Sequence, residues 1–196
     1  KTYQANDSLP VVVGRNDALG FQIDVSDSGE LIDANLELSL TGDRDTHLRY
    51  LNAALVSPNN TRVFLFGGDQ QPAECSGTGG CIESNTKSFT ATTFDDEAST
   101  KISNGSAPYI GGFKPNESLS AFDGESINGT WTLYIGNTEF WNSNPGLEIS
   151  DIKLHLKYNL DSGGTTIPEE NNAIFSSSGG EINIASNSTE RIDIPV

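Results

Sequence analysis

The sequence predicts an all-β domain built as an antiparallel β-sandwich, and three observations predict it. Apolar residues recur at every second position in short runs, most plainly Trp131, Leu133 and Ile135, and later Leu147, Ile149, Ile152, Leu154, Leu156 and Tyr158. Such alternation marks strands buried on one face. Glycine, at 20 residues, together with abundant Ser, Thr and Asn, breaks these runs at short intervals. No stretch keeps a helical period for more than a turn or two. Many short antiparallel strands close most simply as two packed sheets, and 196 residues suffice for one such domain with a core.

In chain order, residues 9–13 read as an edge strand entered through Pro10. Residues 21–25 form the next strand, ending at Ser26-Asp27-Ser28-Gly29. From Leu31 the alternation is Ile32, Leu36, Leu38 and Leu40, and it stops at Thr41-Gly42-Asp43. Residues 48–56 follow, with Leu51, Ala53 and Leu55 as core candidates. Ser57-Pro58-Asn59-Asn60 is a turn, and residues 61–66 return as the antiparallel partner. Residues 67–87 are irregular, Ser88–Phe94 is a strand, and residues 95–120 are rich in loops. Asn128-Gly129 turns the chain into the strand that carries Trp131. In the last long strand, residues 147–158, the apolar phase slips near Ser150-Asp151, where one extra residue would make a β-bulge. Residues 160–166 have linker composition. The tail has alternating runs at 181–185 and 191–196, and its ending TERIDIPV is similar to GFQIDV at 20–25. This divides the chain into residues 1–160, one β domain, and 161–196, which read as further edge strands of that domain or as the start of a truncated second copy.

Charge narrows the function. The chain has 27 acidic and 11 basic side chains, a net of −16. A phosphate-binding surface needs the opposite sign, so nucleic acid is excluded, and anionic lipid headgroups would repel the chain. No segment approaches the roughly 18 apolar residues of a membrane span. Lys1 opens the chain without a charged-then-apolar leader, as a mature or excised segment would. Cys75 and Cys81 stand in CSGTGGC with no histidine or further cysteine nearby. That spacing favours a disulfide over zinc and hence an oxidising compartment. A ring so short would pin a local loop more than stabilise the domain.

Four strings carry a resemblance when taken in order. They are LVSPNNTRVFLF, TTFDDEAS, SAPYIGGFKPNESLSAF, and LSAFDGESINGTWTLYIGN continuing to GLEISDIKLHLKY. Over about residues 20–158 they resemble the P domain, the β-rich module that follows the subtilisin-like catalytic domain in kexin- and furin-type proteases, and their order is that of its bacterial members. The resemblance implies a galactose-binding-like jelly roll. It also implies a secreted bacterial protein, a subtilisin-like catalytic domain as partner in the same polypeptide, and a monomer. The expected role is to stabilise that catalytic domain or to contribute to binding of an extracellular protein or polysaccharide substrate.

Metal chemistry points to calcium. Asp95, Asp96 and Glu97 are adjacent after a strand, and Asp43 and Asp45 share another turn. Calcium takes six to eight oxygen ligands, and neighbouring carboxylates otherwise repel one another. Some proteins that this domain resembles carry structural calcium, so the role expected is to tie loops together.

Catalysis finds little support. The two histidines are His47, in an acidic turn, and His155, mid-strand and out of phase with its apolar neighbours. No nucleophile elbow occurs. Glu37 and Glu148 read as isolated and outward-facing, unlike the facing carboxylates of a glycosidase. Phe140 and Trp141, in the loop before Leu147, are candidate ligand-binding residues where the family usually has a plainer segment. The expectation is thus a non-catalytic accessory domain. The alternative is a carbohydrate- or matrix-binding module or an adhesin repeat.

Overall fold

A computed structural model describes residues 1–42, 51–67, 88–106, 108–137 and 146–160, and the backbone of three short strands in the tail. Two compact units emerge, Lys1–Leu160 and Asp161–Val196. In the second, β11 (Ile174–Phe175), β12 (Glu181–Asn183) and β13 (Arg191–Asp193) pair antiparallel with one another.

The first unit holds the strands β1 (Thr2–Gln4), β2 (Val11–Val13), β3 (Asp17–Val25), β4 (Gly29–Gly42) and β5 (Leu51–Val56). They are followed by β6 (Arg62–Phe66), β7 (Ser88–Phe94), β8 (Tyr109–Phe113), β9 (Gly129–Asn137) and β10 (Leu147–Leu160). One sheet has the order β1-β10-β4-β7-β8, with β2 also on β10, and the other the order β3-β9-β5-β6. All pairs are antiparallel except β7 with β8. Only 3-10 turns, at Ile102–Asn104 and Leu119–Phe122, interrupt the strands among the described residues. The expected all-β sandwich is the architecture found.

Alternation explains the core. Phe21, Ile23 and Val25 of β3, Trp131, Leu133 and Ile135 of β9, and Leu147, Ile149, Ile152, Leu154 and Leu156 of β10 are all buried, in one apolar cluster with Leu36, Leu38 and Leu40 of β4. The phase slip in β10 is a bulge, since the register to β4 shifts between Ile149 and Asp151. At one end of the core, rings from both sheets interlock. Phe66 meets Phe89 edge-on at 5.4 Å, and Phe89 meets Tyr109 at 5.1 Å. At the other, Phe122 meets Trp131 at 5.1 Å, and the indole Nε1–H donates to the Ile127 carbonyl over 3.0 Å. Edge-to-face pairs of this kind add to area burial.

Where the sequence reading differed, the reasons are local. β1 lacked a periodic signal because three residues show too little alternation. β8 fell within the expected loop because only Tyr109 of YIGGF is buried and the next three residues are exposed. Its register is held by the buried Thr92 hydroxyl, which donates to the Tyr109 carbonyl. In β4 the buried residue is Leu31 and Ile32 is exposed, because a second register shift opposite Lys157/Tyr158 resets the faces. Glu37 is not isolated. It pairs with Lys153 at 2.8 Å beside His155 on the outer face of the large sheet. Glu148 is exposed, as expected.

One carboxylate gathers the N-terminal edge. Asp27, in the β3–β4 turn, accepts bonds of 2.6 Å from Lys1 Nζ, Tyr3 Oη and Tyr158 Oη. These donors hold its carboxyl below the ordinary range, and burial together with the Asp27 bond pushes the Tyr3 phenol up.

Candidate functional site

The acidic run after β7 divides as the chain turns. Asp95 Oδ1 accepts the Glu97 amide at 2.7 Å, closing a tight Asx turn. Asp96 points away from both. Its carboxylate accepts from Ser118 Oγ, from the Leu119 amide at 3.1 Å and from the Ser120 amide at 2.9 Å. Asp96 therefore caps the 3-10 turn Leu119–Phe122 from outside, while Ser118, at the N-cap position, makes no capping bond of its own. That turn buries Leu119 and Phe122, and Phe122 is the ring that meets Trp131. A single carboxylate thus links the β7 loop to the central tryptophan.

Around Asp95 and Glu97 the like charges add. The Glu97 carboxyl is pushed up, first by its hydrogen bond with Asp95, then by partial desolvation, and then by the charges of Asp33 and Asp95. Asp123, one residue past the 3-10 turn, is pushed up by desolvation and by Asp33 and Asp96. Asp33 comes from β4 and the other acids from loops, so the sandwich assembles a patch spread over three segments. Asp33 and Asp123 were not among the acids expected from sequence. Asp33 lies in an alternating strand, where an acid reads as a solvated face, and Asp123 stands apart from the run. Charge in such a patch favours a proton or a cation.

No group of three or more His, Cys, Asp or Glu side chains among the described residues is arranged to hold a metal ion. Asp43 and Asp45, the cysteines Cys75 and Cys81, and the loop residues Phe140 and Trp141 lie outside the described residues, as does His47. His155 Nδ1 lies 2.8 Å from Thr2 Oγ1 and its Nε2 lies 3.9 Å from Glu37. Thr2 and His155 are directly opposed in the β1–β10 register, so this contact is a cross-strand pair on an open sheet face. No helix among the described residues is long and apolar enough to cross a membrane.

No family model matches the chain, and no curated protein matches it. Solved structures similar to it include two of the serine protease of Aeromonas sobria. The protease alone is 15% identical with a TM-score of 0.46, and its complex with a chaperone is 14% identical with the same TM-score. In each case the similarity covers 81% of this chain and 26% of the protease chain. The chain spans about a quarter of the length of those proteins.

Proposed function

We propose that residues 1–160 are a P-type jelly roll that serves a secreted, bacterial subtilisin-like serine protease as a non-catalytic accessory domain. It packs against the catalytic domain of the same polypeptide and stabilises it, or helps to hold substrate. The observation that carries this reading is the joining of the family-like strings. Asp96 of TTFDDEAS bonds the turn of ESLSAF, whose Phe122 packs on Trp131 of GTWTLYIGN. Strings that match the family only in order along the chain are thus also structural partners. Residues 161–196, whose strands pair among themselves, are in this reading a linker and tail, either edge strands of the same domain or the start of a truncated second copy.

Calcium belongs to the same proposal. The acids expected to ligate it are Asp95 and Glu97 together with Asp43 and Asp45, since the described acids by themselves form no group arranged to hold a metal ion. The ion's charge would relieve the repulsion that pushes Glu97 and Asp123 up. Asp96, with three donors already on its carboxylate, would support the site from outside. The ion would fasten loops and would not take part in hydrolysis.

The test uses the parent polypeptide with and without residues 1–160, measuring its unfolding midpoint and its hydrolysis of a peptide substrate. Loss of folded protease on deletion is the expected result. A parent polypeptide without a Ser-His-Asp protease, or one indifferent to the deletion, overturns the reading.

A further inference from the structure

The four-stranded sheet has a second face. Against the core-facing positions of β9, β5 and β6 alternate Thr132 and Tyr134, then Asn52, the nearly covered Ala54 and Val56, then Arg62 and Phe64. Ala54 pairs in register with Tyr134 on one side and Phe64 on the other. One small side chain therefore lies between two rings of the same row, whose strands stand about 10 Å apart across β5. The result is an open trough of about 640 Å³, lined by Asn52, Ala54, Val56, Asn60, Arg62, Phe64 and Tyr134.

Its walls are held in place. Tyr134 is 50% exposed, and its ring leans over Gly20, where a Cβ would stand only 3.0 Å from Cε1. Asn52 rests on Gly136, where a Cβ would run into its Oδ1. The Arg62 guanidinium stacks on the Phe64 ring at 4.8 Å from the centroid, which fixes the plane of its donors. The missing Cβ of Gly20 thus lets the Tyr134 ring lie over β3 and that of Gly136 lets the Asn52 amide lie over β9, both leaning away from β5, while the guanidinium rests on the Phe64 ring.

The lining chooses among ligands. Among the described residues that line the trough none is a carboxylate, which disfavours a cationic ligand. A net charge of −16 repels a polyanion. A peptide strand would need free backbone groups, and the trough offers a sheet face, with the β6 edge already bonded by Asn116 and Glu117. What remains is a neutral group with one apolar face and a rim of hydroxyls. Tyr134 and Phe64 suit the former. The amides of Asn52 and Asn60, each both donor and acceptor, suit the latter.

We propose that this trough binds a neutral polysaccharide chain, which lies along β5 from Asn52 toward Asn60. The strand offers about 13 Å between Asn52 and Val56. The site stands whether or not a protease is attached.

The test runs the full 196-residue chain through native gels containing galactomannan, hydroxyethylcellulose, arabinoxylan, laminarin or dextran, with polygalacturonate as the anionic control. Retardation by at least one neutral polymer is expected. Tyr134→Ala should weaken it about tenfold or more while the mobility in gels without polymer stays that of the folded chain. Ala54→Leu should weaken it by filling the floor between the rings, and Gly20→Val by displacing the ring. A second measurement needs no variant. The matching oligosaccharide should shift backbone amide resonances of residues 52–56, 62–64 and 132–134. The proposal is overturned if no neutral polymer retards the chain, if polygalacturonate alone does, or if the shifts cluster elsewhere. Such a failure leaves the accessory-domain reading standing, because that reading is tested on the parent polypeptide.

Discussion

Asp27 and Glu97 are both carboxylates at the edge of the same sandwich, yet their surroundings drive them in opposite directions. Asp27 collects an ammonium and two phenol hydroxyls, each at 2.6 Å, and its carboxyl is held low. Glu97 meets other acids, and its carboxyl is pushed up. The difference teaches where each cluster stands energetically. The Asp27 cluster is complete with the groups the chain supplies. The Glu97 cluster holds like charges that a proton or a cation would relieve, which is why the proposed ion is placed there.

The largest effect expected is from the residue that belongs to neither group. Asp96→Ala strips acceptors from the Leu119 and Ser120 amides and the Ser118 hydroxyl. By the usual worth of a cap and of bonds to a charged acceptor it should cost about 2–3 kcal/mol, or roughly 4–12 °C in midpoint for a domain of this size. Thermal unfolding checks it. An unchanged midpoint would show that the 3-10 turn does not depend on the β7 loop.

Calcium comes next. At matched ionic strength, millimolar calcium against excess EDTA should raise the wild-type midpoint by several degrees through mass action, about 2.7 kcal/mol at a hundredfold excess over Kd. The combined variant Asp95→Asn, Glu97→Gln should abolish that shift. If the shift is absent in the wild type, or survives in the variant, the two clusters do not differ in the way claimed.

Protonation sharpens the same contrast, and its signs are opposite at the two clusters. Asp27 has a folded-state pKa below its ordinary 3.8. Its contribution is therefore fully present above that value and is lost as pH falls through it toward the folded value. Asp27→Asn should lower the midpoint at neutral pH and flatten the acid limb below about pH 4. Glu97 and Asp123 have raised values, so in calcium-free buffer their ionised forms cost stability at pH 7, and the cost fades as pH falls through those values. Glu97→Gln should raise the calcium-free midpoint at pH 7 slightly and reduce the gain wild type shows as pH falls through the raised Glu97 value. Melting curves from pH 2 to 8 test both variants. The smallest effect belongs to Thr2→Val, which removes one exposed cross-strand bond to His155 and should stay within about 0.5 kcal/mol of wild type.

Much of the core was legible. Trp131, Leu133 and Ile135 and the alternating residues of β10 declare their buried face, and the β10 bulge shows as a slip in phase. The Ser57-Pro58-Asn59-Asn60 hairpin was readable from turn chemistry, and Asn60 adopts the positive φ of 67° that such a turn admits. The candidate sites were less so. Acids at 95–97 stood out as a run, but nothing in that run distinguishes Asp96, which caps a turn, from Asp95 and Glu97, which repel each other. Asp33 and Asp123 gave no local signal at all. The outward residues of β5, β6 and β9 read as an ordinary solvated face, because Tyr134, Arg62 and Asn52 become a trough only when strand order sets β5 between β6 and β9.

Side-chain alternation is a property of the extended backbone itself, with a period of two, so the amino-acid sequence alone determined the sandwich, its buried faces and most of its strands. Which outward residues become neighbours depends on strand order, register and bulges, and those are settled by the packing of distant segments. Tertiary structure therefore decided that Asp27 meets Lys1, Tyr3 and Tyr158, that Asp33 faces Glu97, and that an alanine lies between two aromatic rings.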